Sequence, residues 1–279
     1  MENSTLAYTS AELKALSDKT LLVKYGGNAM VDIKATAAVM EQLALLHKHN
    51  IKVVVVHGGG PFIKDLLEKV KLESVFVEGH RKTTPDMMEY VDMALSGKVN
   101  GSIVNDLSKK GIKAVGLNGK DAQIGLAKER LVNGQSLGAV GDMVSTNPEL
   151  VSLLLENNYL PVVAPVCLSE KGSMLNVNAD MFAGSLAAAL EVDYFVLLTD
   201  VDGLRQNPDD PESLINEIDR TSLKKEIGKS IQGGMIPKIN CCLDAMENGV
   251  QTTYIVNGMK SNTILKTLLA SEKCGTKIV

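Results

Sequence analysis

Two lysines, one aspartate and a set of glycine-rich turns are the residues in this chain best suited to act on an anion. Lys24 lies inside an apolar run, "TLLVKYGG", just before Gly26 and Gly27. An ammonium in a strand is costly unless it reaches a counter-charge, although an edge-strand surface lysine would fit the same pattern. "VVVVHGGGP" sets Gly58, Gly59 and Gly60 between an apolar strand and a helix opening at Pro61. Glycine lets backbone N–H groups approach an anion without Cβ interference. The helix N-terminus adds its positive dipole end, while a tight strand-to-helix turn needs glycine on its own account. "NVNAD" puts Asp180 in the first turn of a predicted helix behind two asparagines, where dipole complementation and turn formation are sufficient explanations by themselves. "GGMIPK" puts Lys238 in the first turn of another helix. A cation there is unfavourable by about 0.3–1 kcal/mol, and a bound polyphosphate would reverse the sign. Together these groups suit phosphoryl transfer, in which positioning and charge stabilisation do most of the catalysis. Mg²⁺ would then arrive mainly on the phosphates of the nucleotide.

Other patterns fail on inspection. The phosphate-loop pattern breaks at Gly228–Ser230, because Leu223 stands where its first glycine belongs. The dinucleotide fingerprint breaks at Ile63. "GQSLG" matches the nucleophile elbow, but no helix can easily follow it, so Ser136 is expected in a loop. "DVDG" at Asp200 is too short for a calcium loop. Cys167, Cys241, Cys242 and Cys274 form no metal spacing and are expected as small buried hydrophobes. His47, His49, His57 and His80 fall in no metal pattern, and His57 is expected to be structural. A net charge of −4 offers no global basic field, so neither nucleic acid nor a membrane is an expected partner. With no basic-then-apolar leader at the N-terminus, a cytoplasmic protein is expected.

The elements that must position these groups alternate. Thr9 to Glu12 has capping-box spacing ahead of a short helix. A strand through Lys24 follows, then an amphipathic helix with Ile33, Ala37, Met40 and Leu43/Ala44 on one side. "IKVVVV" reads as a parallel strand covered on both faces. A long helix is capped by Thr84 with Pro85 at its first position. "KAVGLNG" reads as a strand, and residues 120–146 as a hairpin excursion. Helix, strand, the alanine-rich helix from Ala179, the strand "YFVLLTD", the helix closed by Gly249, the strand "QTTYIVNG" and a last helix complete the chain. This alternation predicts an α/β protein with a mostly parallel central sheet and helices on both faces. A soft boundary is expected near Gly172, where the glycine-rich excursions end.

"VKYGG", "VVVVHGGGP", "GHRKTTPDMMEYVDMALSGKVN", "LNVNAD", "LLTDVDGL" and "GGMIPKI" follow the order seen in the amino-acid kinase superfamily, and most closely resemble its N-acetylglutamate kinases. The resemblance runs from about Thr20 to the C-terminus. It implies a three-layer αβα sandwich, with an acceptor-binding and dimerising lobe over residues 1–172 and an ATP-binding lobe over residues 173–279. It implies transfer of the ATP γ-phosphoryl group to the side-chain carboxylate of N-acetyl-L-glutamate, a step of arginine biosynthesis, with ATP and Mg²⁺ as cofactors. By the same resemblance Lys24 and Lys238 would neutralise the transferring group, and Asp180 would hold both ammonium groups. Gly26 and Gly27 would bind the phosphoryl group. Gly59, Gly60, Arg81 and Asn176 would bind the acceptor, Arg81 clamping its α-carboxylate. Thr199, Asp200, Val201, Asp202, Gly203, Leu204, Gly233, Gly234 and Met235 would line the ATP site. A homodimer is implied, with a hexamer as the alternative assembly. His80 and Lys82 flank Arg81 with added positive charge, which leaves open a kinase for carrier-linked α-aminoadipate. A non-catalytic effector-binding relative on the same fold is the other alternative.

Overall fold

A computed structural model describes residues 10–207, 209–269 and 274–279. The centre is an eight-stranded sheet. Its spatial order is Glu217–Ile218, Thr276–Ile278, Thr252–Asn257, Tyr194–Thr199, Thr20–Tyr25, Lys52–His57, Leu160–Ala164, Ala114–Asn118. Every pairing is parallel except Thr252–Asn257 with Thr276–Ile278. The strand carrying Lys24 is therefore central, with Lys24 in register with Leu197 on one side and Val56 on the other. An edge position for this lysine is excluded.

Side-chain alternation along the strands feeds two separate cores. Leu22, Val54, Val56 and Leu197 pack with Phe182, Leu186, Ile239 and Cys242 on one face. Leu21, Val23, Val53, Val55 and Val196 pack with Val39, Leu43, Ile103 and Ile264 on the other. Burial on both faces explains why these strands read as continuous apolar runs rather than alternating ones. The result is the αβα sandwich. The 125–146 region forms the expected hairpin, Gly125–Val132 with Gln135–Thr146. This hairpin closes into a small four-stranded barrel with Val166–Ser169 and Met174–Val177, two short strands that the sequence did not announce.

Several local expectations change. In helix Ile33–Lys48 Met40, Leu43 and Ala44 are buried as expected, with Ala35, Val39 and Leu46 beside them, whereas Ile33 and Ala37 are exposed. Gln42 shares the buried face, where its Oε1 accepts from the N–H groups of Ile264 (2.9 Å) and Leu265 (3.2 Å). The long helix from Pro85 does run to Lys109, but its Met93–Val99 segment winds as π-helix. Thr84 caps it by accepting from Met87 N–H. Ser136 lies near the start of a hairpin strand rather than in a loop. Helix Arg220–Glu226 and strand Thr276–Ile278 were also not announced. Thr9, half of the expected capping box, lies outside the described residues. Cys167, Cys241 and Cys242 are buried, Cys274 is half-buried, and all four are free thiols.

Candidate active site

The site forms where the central strands end. Ligands of open α/β sheets bind in the crevice outside the carboxyl ends of the strands. Lys24 is the fifth residue of Thr20–Tyr25, and its ammonium lies 2.8 Å from Asp180 Oδ1. Asp180 sits in the first turn of helix Ala179–Ala189, whose cap Asn178 accepts from the N–H groups of Asp180 and Met181. Lys238, in the first turn of helix Met235–Glu247, donates to Asp180 Oδ2 at 2.8 Å. One buried carboxylate thus holds two ammonium groups. It also supplies the counter-charge that Lys238 lacks at a helix N-terminus, with no polyphosphate required. Burial pushes the Asp180 carboxyl up, but the two ammonium groups outweigh it and bring it down to about 2.

The two helices meet closely enough to make this possible. A Cβ on Gly184 would lie 2.6 Å from Cys241 Sγ and 3.0 Å from its carbonyl oxygen. Cys241 in turn donates its thiol proton to Asp180 O at 2.7 Å. Burial raises the Cys241 pKa well above its usual value, so this thiol is inert packing.

Gly26 and Gly27 follow Lys24. A Cβ on Gly26 would stand 3.0 Å from Lys24 Nζ, so its absence leaves room for the ammonium. Gly27 has φ +70°, which favours glycine, and opens the short helical turn Gly27–Met30. On the neighbouring strand, Gly58 N–H donates to Tyr25 O at 2.8 Å, tying the triple-glycine turn to the Lys24 strand. A Cβ on Gly59 would fall 2.6 Å from Leu95 Cδ2 and 3.3 Å from Val99 Cγ2, so a side chain there would displace Leu95. Gly60 begins helix Gly60–Lys69.

Beside this turn lies a cavity of about 450 Å³. Gly59, Gly60, Arg81 and Asn176 all border it, with Leu95 and Val140 among its apolar walls. Arg81 is buried, donates to Gly60 O at 3.2 Å and to Ser74 Oγ, and stacks 4.7 Å from the Phe76 ring centroid. Burial lowers its pKa from the ordinary guanidinium value. Ser74, Phe76, Leu95 and Val140 were not foreseen in the sequence. No signal in the sequence pointed toward them. His80 also borders the cavity, but burial first and Arg130 second lower its pKa, so it brings no fixed charge at neutral pH. The extra positive charge expected beside Arg81 reduces to Lys82, which is exposed.

On the opposite flank, Thr199 ends its strand and Asp200 accepts from Asn28 Nδ2 at 3.1 Å, joining this strand end to the Gly26–Gly27 turn. Val201 is exposed, and Asp202 is held by Lys260 at 2.7 Å and Asn257 at 2.9 Å. Gly233 and Gly234 are exposed, and Met235 opens the Lys238 helix. Gly203 and Leu204 do not join them at the surface. Leu204 is buried in the core and its N–H donates to Thr276 Oγ1 at 2.8 Å, so these two anchor the loop. His57 is wholly buried, as expected of a structural residue. Among the described residues no cluster of three His, Cys, Asp or Glu could hold a metal ion, and both Asp180 oxygens face ammonium groups. A divalent ion here would depend on donors from a nucleotide.

The pattern common to the amino acid kinase family matches residues 19–257. The chain belongs to the amino acid kinase family. It is 42% identical over 267 residues to an acetylglutamate kinase of Caldanaerobacter subterraneus subsp. tengcongensis, which spans 95% of this chain and 89% of that one. The N-acetylglutamate synthase of Neisseria gonorrhoeae, solved with coenzyme A and N-acetyl-glutamate, has the same fold at TM-score 0.85 and 20% identity, over 97% of this chain and 62% of that one. Carbamate kinase from Giardia lamblia, bound to AMP-PNP, matches at TM-score 0.64 and 18% identity over 94% of this chain and 98% of that one. These two structural likenesses carry the fold alone.

Proposed function

We propose that the chain is an ATP-dependent acetylglutamate kinase, which phosphorylates the side-chain carboxylate of N-acetyl-L-glutamate in arginine biosynthesis. The acceptor is taken from the relatives, among them the one described above at 42% identity. The observation that carries the chemistry is the convergence of Lys24 and Lys238 on Asp180, next to a cavity walled by Arg81 and the triple-glycine turn.

In this reading a carboxylate oxygen of the acceptor attacks the γ-phosphorus. The bond from that phosphorus to the β–γ bridging oxygen breaks, and ADP departs with the electron pair. No proton moves, because a carboxylate is already ionised at neutral pH. That suits a site without a poised imidazole: His57, behind the triple-glycine turn, is buried and held near a pKa of about 4, and burial lowers the pKa of His80 as well. Lys24 and Lys238 offset the negative charge on the transferring group, and Asp180 keeps the two ammonium groups in place. Gly26 and Gly27 lie against the phosphoryl group, and Gly59 and Gly60 bring N–H donors to the acceptor side. Arg81 clamps the α-carboxylate in bidentate fashion, with Asn176 beside it. Thr199 to Asp202 and Gly233 to Met235 bind ATP, Gly203 and Leu204 supporting the loop from within. Mg²⁺ rides on the ATP phosphates.

The same reading gives residues 1–172 to acceptor binding and dimerisation and residues 173–279 to ATP. It makes the enzyme a homodimer of the cytoplasm. Among the described residues no helix is long and apolar enough to cross a membrane.

Hydroxylamine trapping of the acyl phosphate tests the assignment. MgATP is supplied with N-acetylglutamate, glutamate or aspartate. Hydroxamate forming with N-acetylglutamate and not with glutamate or aspartate is the expected result. No hydroxamate with any acceptor refutes the proposal.

A further inference from the structure

A buried polar chain, which the phosphoryl transfer itself does not use, holds the triple-glycine turn from behind. His57 Nε2 lies 3.1 Å from the Asn100 side-chain nitrogen, and His57 Nδ1 lies 2.9 Å from Gly58 O. The same Asn100 nitrogen is 2.9 Å from Val162 O and 3.2 Å from Leu117 O. Carbonyl oxygens only accept, so these two fix the Asn100 amide with its NH₂ toward the imidazole. An NH₂ only donates, so His57 Nε2 carries the lone pair and Nδ1 carries the proton. The Nδ1–H therefore donates to Gly58 O. In a trans peptide the C=O and the following N–H point in opposite directions. Drawing Gly58 O back onto the imidazole thus turns the Gly59 N–H away from it.

The fold makes room for this chain at two points. A Cβ on Gly116 would lie 2.1 Å from Asn100 Oδ1, so a side chain there would push Asn100 out of its place. The π-helical segment Met93–Val99 presses Leu95 and Val99 against Gly59 and delivers Asn100 as the next residue. Such π-turns are frequent at functional sites. The cavity borders Gly58, Gly59 and Gly60, with His57 behind them.

We propose that His57, locked in one tautomer by Asn100, is a positioning residue that sets the Gly58–Gly59 peptide so that the Gly59 N–H faces the acceptor cavity. The proposal rests on the reading of that cavity as the acceptor site. Burial holds the imidazole neutral, with a pKa of about 4, so the tautomer persists through the working pH range.

Two substitutions separate the two ends of the imidazole. His57→Asn keeps a donor near the Nδ1 position, and His57→Gln keeps an acceptor near Nε2. For His57→Gln the expected result is a rise in KM for N-acetylglutamate of about 10-fold or more with a fall in kcat, while KM for ATP stays within about two-fold. His57→Asn stays within about three-fold of the parent in all three constants. Crystal structures of both variants supply a readout independent of the acceptor. The Gly58–Gly59 peptide is rotated in His57→Gln and keeps the parent orientation in His57→Asn. Asn100→Ala frees the tautomer without changing the imidazole, and raises the acceptor KM alone by about three-fold or more. It keeps the proposal testable if His57→Gln does not fold. Equal impairment of the two His57 variants, parallel changes in both KM values, or an unrotated peptide in His57→Gln would each overturn the proposal. A parent enzyme that uses another acceptor refutes the proposed function and leaves the peptide readout standing.

Discussion

Replacing Asp180 by asparagine removes the one carboxylate that two ammonium groups share. Lys24 Nζ and Lys238 Nζ each lie 2.8 Å from one of its oxygens, with the Asp180 side chain only 9% exposed. At that separation and an effective dielectric of 20, each pair attracts by about 6 kcal/mol before desolvation is charged against it. Desolvation removes much of this, and breaking a buried pair by deleting one partner costs about 3–5 kcal/mol. The fall of the carboxyl pKa from 3.8 to about 2 corresponds to a smaller figure, about 2–3 kcal/mol. Protonation and the substitution alike leave two ammonium groups without a counter-charge, so the two figures bracket the effect. The Asp180→Asn variant should therefore lose about 2–5 kcal/mol in urea unfolding without ligand. Added ATP should stabilise it more than the parent, because the phosphates restore the missing negative charge. Turnover should fall by about 10²-fold or more, as loss of preorganised charge stabilisation does. A stability loss below about 1 kcal/mol, the value of a surface pair, together with a parent-like response to ATP, would refute the reasoning.

His57 makes stability depend on pH: its folded pKa of about 4 lies below the ordinary 6.5, so its stabilising contribution is complete above pH 6.5 and is lost as pH falls toward 4. Urea titrations across that window should show a loss of about 3 kcal/mol, and His57→Asn should flatten the slope. Gln42→Leu leaves the N–H groups of Ile264 and Leu265 without an acceptor. It should destabilise by about 2–4 kcal/mol with both KM values unchanged in steady-state kinetics. Gly59→Ala places a Cβ 2.6 Å from Leu95 Cδ2; acceptor KM should rise about 10-fold while the ATP dissociation constant shifts by less than about two-fold.

The fold was legible where burial acts on both faces of a strand. Val53 to Val56 are all fully buried, and that uniform demand wrote an unbroken apolar run. It was less legible where a polar residue serves the interior. Gln42 sits on the buried face of its helix and caps another helix distant in sequence, a role that an apolar pattern does not show. The π-helical turn at Met93–Val99 leaves no composition mark, because it answers to packing on Gly59 and to the entry of Asn100. Short strands such as Val166–Ser169 and Met174–Val177 depend on partners far along the chain.

For the site, Lys24 and Lys238 stood out because each sits where its charge is costly alone, whereas Asp180 at a helix N-terminus is favoured by the dipole and was marked only by the two asparagines before it. The structure supplies the partner that removes the cost. Phe76 and Ser74 did not stand out, since stacking and hydrogen bonding to Arg81 arise only when a two-residue strand pairing folds Phe76 back beside it. Leu204 read as part of a surface loop because its neighbours are polar, but its side chain closes the core below them.

The central claim is that the acceptor's own carboxylate oxygen attacks the γ-phosphorus between the lysine pair and the triple-glycine turn. N-acetylglutamate carrying ¹⁸O in its side-chain carboxylate tests this directly, with MgATP and hydroxylamine present and the released phosphate read by ³¹P NMR. Attack by the carboxylate leaves one labelled oxygen bridging carbon and phosphorus. Hydroxylamine then takes the acyl carbon, so the released phosphate carries one ¹⁸O. Phosphate released without ¹⁸O would contradict the account.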